Sequence, residues 1–413
     1  MTRFSRVCVM GMGYIGLPTS AVFANHGLEV LGVDVKPAAV ESINRGQPHI
    51  VEPELDVLLR QVVQAGRLRA ALTPEPADAF ILAVPTPFMA GHEPDTSHIE
   101  AAARAIAHVL ARGNLVILES TSPIGTTEQL SRWLAQARPD LTFPHQAGEL
   151  SDIRIAHCPE RVLPGHILRE VVENDRIIGG LTRKCAQAAT LLYRVFAKGQ
   201  IHPTNARTAE MAKLAENAFR DVNIAFANEL SMICDRLRIN VWELIRLANM
   251  HPRVNILRPG PGVGGHCIAV DPWFIVAADP ERSPLIRTAR EVNEAKPGFV
   301  VDKVRRHAAT LKQPVIACLG LSYKADVDDL RESPAVTIVE ELARAGVGEL
   351  LVVEPHVNAL PENLAVLGLQ LWDFDRATER ANILLLLVDH ASFLTVDHDV
   401  VKDKIVVDTR GAW

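Results

Sequence analysis

The first part of the chain alternates short apolar runs with segments of helical periodicity. Arg6–Met10, Val30–Asp34, Phe80–Pro85 and Leu115–Ser120 are continuously apolar, which predicts strands covered on both faces. Their spacing predicts βαβ units around a parallel sheet, extended by strands at Arg154–Cys158 and Arg176–Gly179. From Thr204 to Arg238 the pattern changes. This stretch has no Pro or Gly and its apolar positions recur at helical spacing, so it predicts one helix of roughly 50 Å at about 1.5 Å per residue. Such a helix exceeds one compact layer, links two domains and offers a dimer surface. After Lys312-Gln313-Pro314 the strand–helix rhythm returns. Strands are expected at Val315–Gly320, Glu349–Glu354, Leu369–Trp372, Ile383–Asp389 and Lys404–Asp408, with a helix near Pro334–Ala345.

Composition narrows the class. The 413 residues are 48% hydrophobic and 22% charged, enough for sizeable cores. A formal net charge of −6 argues against a nucleic-acid partner, so an anionic ligand must be held by a few local cations and backbone amides. Cys8, Cys158, Cys185, Cys234, Cys267 and Cys318 are scattered with no CxxC pair, so neither a metal site nor a disulfide framework is expected. Cys8 and Cys318 lie in apolar runs and read as core. The N-terminus leads straight into a strand without a signal-peptide apolar region, and no apolar stretch approaches the roughly 20 residues that span a bilayer. A cytoplasmic protein with no membrane partner is expected.

The chemistry starts at Gly11-Met12-Gly13-Tyr14-Ile15-Gly16, between a predicted strand and a helix that should end near Gly27. The next strand finishes at Asp34. A tight glycine turn, close approach to a pyrophosphate and an acid for the ribose 2′-hydroxyl form the dinucleotide fingerprint. Asp34 would repel a 2′-phosphate, which favours NAD over NADP, although Lys36 works in the other direction. The loops Val84–Pro87 and Ser120–Thr127 follow strand C-terminal ends, where doubly wound sheets bind ligands. Their hydroxyls read either as ribose or pyrophosphate contacts or as turn chemistry. The fold class is therefore α/β: two doubly wound Rossmann-like domains joined by a central helical region with one long helix, divided as 1–203, 204–305 and 306–413.

A second centre lies at Gly260-Pro261-Gly262-Val263-Gly264-Gly265-His266-Cys267, four residues before Asp271-Pro272. Asp271 suits a helix N-cap and Pro272 the first helical position, and a helix N-terminus favours anions, a thiolate included. The glycines let backbone N–H groups approach a ligand. His266 reads equally as a base or a loop hydrogen-bonder. Glu210, Lys213, Asn217 and Arg220 share one face of the long helix. That face is either a solvated stripe or a polar wall with Lys213 near the reacting oxygen. His251, Arg253 and Arg258 form a cationic run suited to a diphosphate, or an ordinary surface charge run.

With these residues the chain resembles the UDP-glucose/GDP-mannose dehydrogenase family over nearly its whole length. The resemblance is carried by GMGYIG, the ST-x-P-x-GTT loop, Cys158-Pro159-Glu160-Arg161, Glu210-x-x-Lys213-x-x-x-Asn217, GVGGHCIAVD, Gly320-Leu321-Ser322-Tyr323-Lys324 and Asp329-Leu330-Arg331-Glu332-Ser333-Pro334. Family members acting on glucose substrates carry GGSC-x-x-K-D at the cysteine loop. GGHCIAVDP resembles the UDP-N-acetylhexosamine 6-dehydrogenases instead, and CPERVLPGHILREVVENDRIIGG is most similar to members that act on UDP-N-acetyl-D-mannosamine.

The resemblance implies a four-electron oxidation of that sugar nucleotide at C6, with two NAD and water, for surface polysaccharide synthesis. It implies Cys267 as nucleophile, Lys213 as alkoxide stabiliser, and Asp271 or Glu160 for the water. Gly11, Gly13, Tyr14, Ile15, Gly16, Asp34, Thr86, Thr127 and Arg331 would hold the cofactor. Arg161, Val162, Lys213, Asn217, Arg220, His251, Arg253, Gly264, Tyr323, Lys324 and Arg410 would hold the sugar nucleotide. It further implies a homodimer built on the long helix, with Arg253 reaching the partner's site. Rival readings are a 6-dehydrogenase of UDP-N-acetylglucosamine or UDP-glucose, a single-step β-hydroxyacid dehydrogenase, and a non-catalytic NAD sensor. The last two have no use for Cys267.

Overall fold

The computed structural model describes residues 4–163, 165–265, 267–395 and 401–413. His266, read above as a base or loop hydrogen-bonder, and Pro164 of the CPERVLPGH segment lie outside the described residues. The chain divides into two compact units, Met1–Ala215 and Glu216–Trp413.

The first unit is built on an eight-stranded sheet: β1 (Arg6–Met10), β2 (Glu29–Val33), β3 (Leu68–Ala71), β4 (Ala79–Leu82), β5 (Leu115–Leu118), β6 (Arg154–His157), β7 (Arg176–Gly180) and β8 (Ile201–Asn205). The spatial order is β3-β2-β1-β4-β5-β6-β7-β8, with only the β6–β7 pair antiparallel. Successive residues of the central strands serve opposite faces. Val7, Val9, Ile81 and Ile117 enter one core, while Cys8, Met10, Phe80 and Leu118 enter the other. This is why those strands read as unbroken apolar runs. β3 and β8 escape sequence reading because they are edge strands: the first carries Arg69 and the second, Ile-His-Pro-Thr-Asn, is largely exposed. The Gly16–Asn25 helix ends at His26 with Gly27 at φ +93°, the left-handed C′ position expected from sequence.

The helix Ala206–Leu237 runs 32 residues, and the division between the units falls inside it. In the second unit it is joined by helices Val241–Ala248, Asp271–Ala278 and Pro284–Ala308. Its inward face there is polar. Asp221 has no exposed surface and accepts Arg290 Nη1 at 2.7 Å and Asn293 Nδ2 at 2.8 Å. Asn228 donates to Asn293 Oδ1 at 2.9 Å and accepts the Gly260 N–H at 2.9 Å. The outward face is apolar: Phe219, Phe226, Ile233 and Leu237 are all exposed.

A four-stranded parallel sheet completes the second unit, with β9 (Val315–Leu319), β10 (Glu349–Val353), β11 (Ile383–Leu386) and β12 (Ile405–Asp408) in the order β10-β9-β11-β12. The strand expected at Leu369–Trp372 is reduced to one bridge, Leu371 to Val352, because Asp373 immediately caps the helix Phe374–Arg380. This sheet repeats the turn chemistry of the larger one. Gly11 and Gly320, both at φ +91°, each follow the first strand and donate N–H to the end of the second, Val33 and Val353, at 2.8 Å. The acid after that second strand, Asp34 or Glu354, then accepts the next N–H, from Met12 at 3.0 Å or Leu321 at 2.7 Å.

The buried Asp221–Arg290 pair should dominate the stability of the second unit. Arg290→Ala leaves Asp221 uncompensated and is expected to cost about 3–5 kcal/mol, read as a shift in the urea midpoint, whereas Arg290→Met with Asp221→Leu recovers most of the loss.

Candidate functional site

The crevice at the ends of β1 and β4, where strand order reverses, is shaped by three glycines with different duties. A Cβ on Gly11 would stand 2.6 Å from the Ala83 carbonyl oxygen, and one on Gly16 would meet the Gly11 carbonyl oxygen. Both are demanded by packing. A Cβ on Gly13 would meet nothing within 4 Å, so this position faces open space. The following helix has no side-chain cap and no acid in its first turn, which leaves its N-terminus suited to a pyrophosphate. Tyr14 and Ile15 are half-buried at this turn. Asp34 accepts Met12 N–H at 3.0 Å and Lys36 N–H at 2.9 Å, which fixes its carboxylate at the edge of the glycine turn. The residues present therefore fit a dinucleotide: an open glycine for the phosphates and a pre-set acid for the ribose. The Thr86 hydroxyl donates to the Thr121 carbonyl, and that of Ser120 to the Val84 carbonyl at 2.7 Å, which ties the two neighbouring loops together.

Buried glutamates position the other loops of this unit. Glu210 is 1% exposed and accepts Gly125 N–H at 2.6 Å, Thr127 N–H at 2.8 Å and the Thr127 hydroxyl at 2.6 Å. It is a clamp on the Ser120–Thr127 loop rather than part of a solvated stripe. Burial pushes its carboxyl pKa up, against the pull of these three donors. Thr127 is fully buried with its hydroxyl committed to Glu210. Glu52, which sequence reasoning missed, accepts Gly165 N–H at 2.8 Å and Ile167 N–H at 2.7 Å. It thereby fixes the segment after Glu160. Glu160 is buried, accepts Arg161 N–H at 2.7 Å and pairs with Arg176 at 3.4 Å. Arg161 donates Nη1 to the Asp175 carbonyl at 3.2 Å, and Val162 and Lys213 are half-buried.

In the second unit Cys267 stands apart from the other five cysteines, all buried, by retaining partial exposure. Burial pushes the thiols of Cys8, Cys158 and Cys318 up to about 12, which makes them poor nucleophiles. The Cys267 carbonyl accepts the N–H groups of Val270 and Asp271, at 3.1 and 2.8 Å. Val270, not Asp271, takes the N-cap position. Asp271 is the first helical residue, and its buried carboxylate accepts Asn217 Nδ2 at 2.5 Å. The loop is thus anchored at both ends to one helix, Gly260 to Asn228 and Asp271 to Asn217.

The glycines of this loop serve contact with the chain itself. A Cβ on Gly264 would lie 2.5 Å from the Glu332 carbonyl oxygen and 2.9 Å from Tyr323 Cβ, and one on Gly265 would lie 3.0 Å from the Tyr323 ring. Gly265 also donates to the Arg331 carbonyl at 3.3 Å. The structure so gathers Cys267, Asp271, Asn217, Gly264, Tyr323 and the Arg331 backbone around one loop. The Arg331 side chain is exposed and bound to Asp329, with Nη2 at 2.6 Å from Oδ2. Arg410 donates Nε to Asp389 at 2.8 Å, and its guanidinium lies 2.8 Å from where a Gly260 Cβ would stand. Lys324 and Arg220 are exposed, as are His251 and Arg253, which share one turn. Glu354 and His390, both buried, brace the Tyr323 loop. Glu354 accepts Leu321, Ser322 and His356 N–H groups, and His390 Nδ1 accepts Asp326 N–H at 3.0 Å while Nε2 stands 3.1 Å from Glu354.

Comparison with known proteins identifies the family. The NAD binding, central and UDP binding domains of the UDP-glucose/GDP-mannose dehydrogenase family match residues 5–197, 207–295 and 317–413. The chain belongs to that family and is an NAD-dependent oxidoreductase. It is 63% identical over 410 residues to an NDP-N-acetyl-D-galactosaminuronic acid dehydrogenase of Ralstonia nicotianae, covering 99% of this chain and 96% of that one. It is 59% identical over 403 residues to a UDP-N-acetyl-D-mannosamine dehydrogenase of Campylobacter jejuni, covering 97% and 99%. Among solved structures, the UDP-D-ManNAc dehydrogenase of Pyrococcus horikoshii is similar with a TM-score of 0.89 at 41% identity, covering 99% and 96%.

The glycine turn yields a paired test. Gly16→Ala should destabilise the protein by about 1–3 kcal/mol through its clash, while Gly13→Ala leaves the urea midpoint unchanged and weakens NAD binding by about tenfold or more in a fluorescence titration.

Proposed function

We propose that the protein oxidises C6 of UDP-N-acetyl-D-mannosamine to the uronate by way of a thioester on Cys267. The observation that carries this reading is that Cys267, among six cysteines the one not fully buried, lies in a loop held at both ends whose Gly264 and Gly265 pack on Tyr323 and whose Cys267 carbonyl accepts the Asp271 N–H. Gly11, Gly13, Tyr14, Ile15, Gly16, Asp34, Thr86, Thr127 and Arg331 would hold NAD, which would supply the hydride acceptor at each oxidation level. An aldehyde has no second hydride to give until a nucleophile adds to it. The Cys267 sulfur supplies that nucleophile. Addition gives a thiohemiacetal, its oxidation a thioester, and water then releases the acid and restores the thiol.

Lys213 stabilises the developing alkoxide. Asp271, the first residue of its helix and bonded to Asn217, orients the loop. Glu160 takes the proton of the hydrolytic water. Arg161, Val162, Asn217, Arg220, His251, Arg253, Gly264, Tyr323, Lys324 and Arg410 form the sugar-nucleotide site, within a three-part division at 1–203, 204–305 and 306–413. The exposed stripe Phe219, Phe226, Ile233 and Leu237 supports a homodimer through the long helix, with Arg253 reaching the partner's site. No described helix is long and apolar enough to cross a membrane. The proposed role is a cytoplasmic one in polysaccharide precursor synthesis.

A second reading takes an N-acetylgalactosamine nucleotide as substrate, favoured by the name of the Ralstonia relative. That name also belongs to a Methanosarcina mazei structure at only 28% identity, whereas mannosamine names run through relatives at 56–59% and structures at 41%. Overall identity therefore does not track the galactosamine name.

Stoichiometry tests the mechanism. Two NADH per UDP-N-acetylmannosamine consumed is expected; one would mean a single-step dehydrogenase and none a sensor. Cys267→Ser should lower acid release by about 10³-fold or more, and a variant turning over normally would refute the thioester. Assaying UDP-N-acetylmannosamine beside the galacto, gluco and glucose nucleotides should place the highest kcat/KM on the first.

A further inference from the structure

The first unit holds a buried charged cluster whose full content the reaction above does not use. Glu119, directly after β5, is 2% exposed. Its Oε1 accepts the Tyr193 hydroxyl at 2.6 Å, and its Oε2 is buried with no hydrogen-bond partner among the described residues. Arg176, on β7, directs Nη1 to Glu160 at 3.4 Å and to the Cys158 sulfur at 3.8 Å, and donates Nη2 to the Val171 carbonyl at 2.8 Å. Its guanidinium lies 4.8 Å from the Tyr193 ring centroid, and its Nε, like Glu119 Oε2, lacks a partner.

One guanidinium therefore faces two buried carboxyl groups. With both ionised the cluster carries a net negative charge out of water, so one carboxyl gives up its proton less readily than the other. Glu160 accepts the Arg161 N–H and faces the Arg176 guanidinium, whereas among the described residues Glu119 accepts the Tyr193 hydroxyl alone. Burial first, and the Glu160 charge second, push the Glu119 pKa up to about 7, against the opposing pull of Arg176 and Tyr193. The remaining neighbours stay neutral: burial raises both the Cys158 thiol and the Tyr193 phenol well above their ordinary values. β4, on the other side of β5, brings only Ala79–Leu82, which do not titrate.

We propose that Glu119 is a positioning residue for the Glu160 base, setting through its own protonation how much of the Arg176 charge Glu160 receives. The proposal rests on Glu160 accepting the proton of the hydrolytic water. With Glu119 protonated, Arg176 serves Glu160 alone and holds it as a weak proton acceptor. When Glu119 ionises, its proton leaves to solvent, the two carboxylates share one cation, and Glu160 becomes the stronger acceptor. Acid release then rises with pH through the Glu119 titration, with no direct contact between Glu119 and substrate.

The test is single-turnover release of the uronate from the holoenzyme, followed from about pH 5.5 to about pH 9 in Glu119→Gln, Tyr193→Phe and Glu160→Gln. The wild-type rate should rise through an inflection near the Glu119 value. Glu119→Gln should abolish the inflection and slow release about three- to tenfold on the alkaline side, with the sugar-nucleotide KM unchanged. Tyr193→Phe keeps the ring beside Arg176 but removes a donor to the carboxylate, so the inflection should move to higher pH. A Glu119→Gln profile that overlays the wild type, or an unmoved inflection in Tyr193→Phe, overturns the proposal. Wild-type release by Glu160→Gln refutes the Glu160 assignment and removes the proposal with it. Slow release by Glu160→Gln beside an unaltered Glu119→Gln profile overturns the proposal alone.

Discussion

Several loops of this protein depend on one kind of interaction, a carboxylate accepting backbone N–H groups. Glu210 holds Gly125 and Thr127, Glu52 holds Gly165 and Ile167, and Glu354 holds Leu321, Ser322 and His356. Asp34 does the same at the glycine turn for Met12 and Lys36. Loops at strand ends cannot satisfy their N–H groups by sheet pairing, and a charged acceptor makes the bond shorter and stronger than a neutral one. The carboxylates are desolvated in return, which is tolerable because each is met by several donors.

The same logic explains the inversion on the long helix in the second unit. Its polar residues Asn217, Asp221 and Asn228 face inward, at spacings near whole turns, while Phe219 and Phe226 face outward. A purely apolar inner face would pack well but offer nothing to fix Asp271 or Gly260. The buried amides and carboxylate give the cysteine loop a defined register, and the apolar surplus is left exposed.

Much of this was legible in the sequence where the signal is local. Continuous apolar runs gave the central strands, GMGYIG with Asp34 gave the dinucleotide turn, and a cysteine among glycines stood out from thiols in apolar runs. The edge strands β3 and β8 of the larger sheet were missed because the exposed Arg69 and the largely exposed Ile201–Asn205 segment leave no apolar run to read. Asp271 was expected to cap its helix; Val270 takes that place while the Asp271 carboxylate turns to Asn217. Glycines 264 and 265 were read as room for a ligand, yet they admit Tyr323. The Glu210 clamp on Thr127 and the pairing of Glu119 with Tyr193 join segments 83 and 74 residues apart, and the Glu52 clamp on Ile167 spans 115. No local pattern announces them, since a carboxylate that binds backbone N–H places no demand on its partner's side chain.

The repeated turn in the two sheets has a consequence for the order of events. Asp34 retains exposure and can turn to a ribose, but its counterpart Glu354 is sealed by three N–H groups and a buried histidine. The smaller sheet has kept the geometry of a dinucleotide fold while closing its seat. Of these two turns, the one in the larger sheet keeps its acid accessible. Under the two-step oxidation proposed above, both hydrides would pass to that one seat, and a covalent tether to Cys267 would hold the sugar while one cofactor is exchanged for the next.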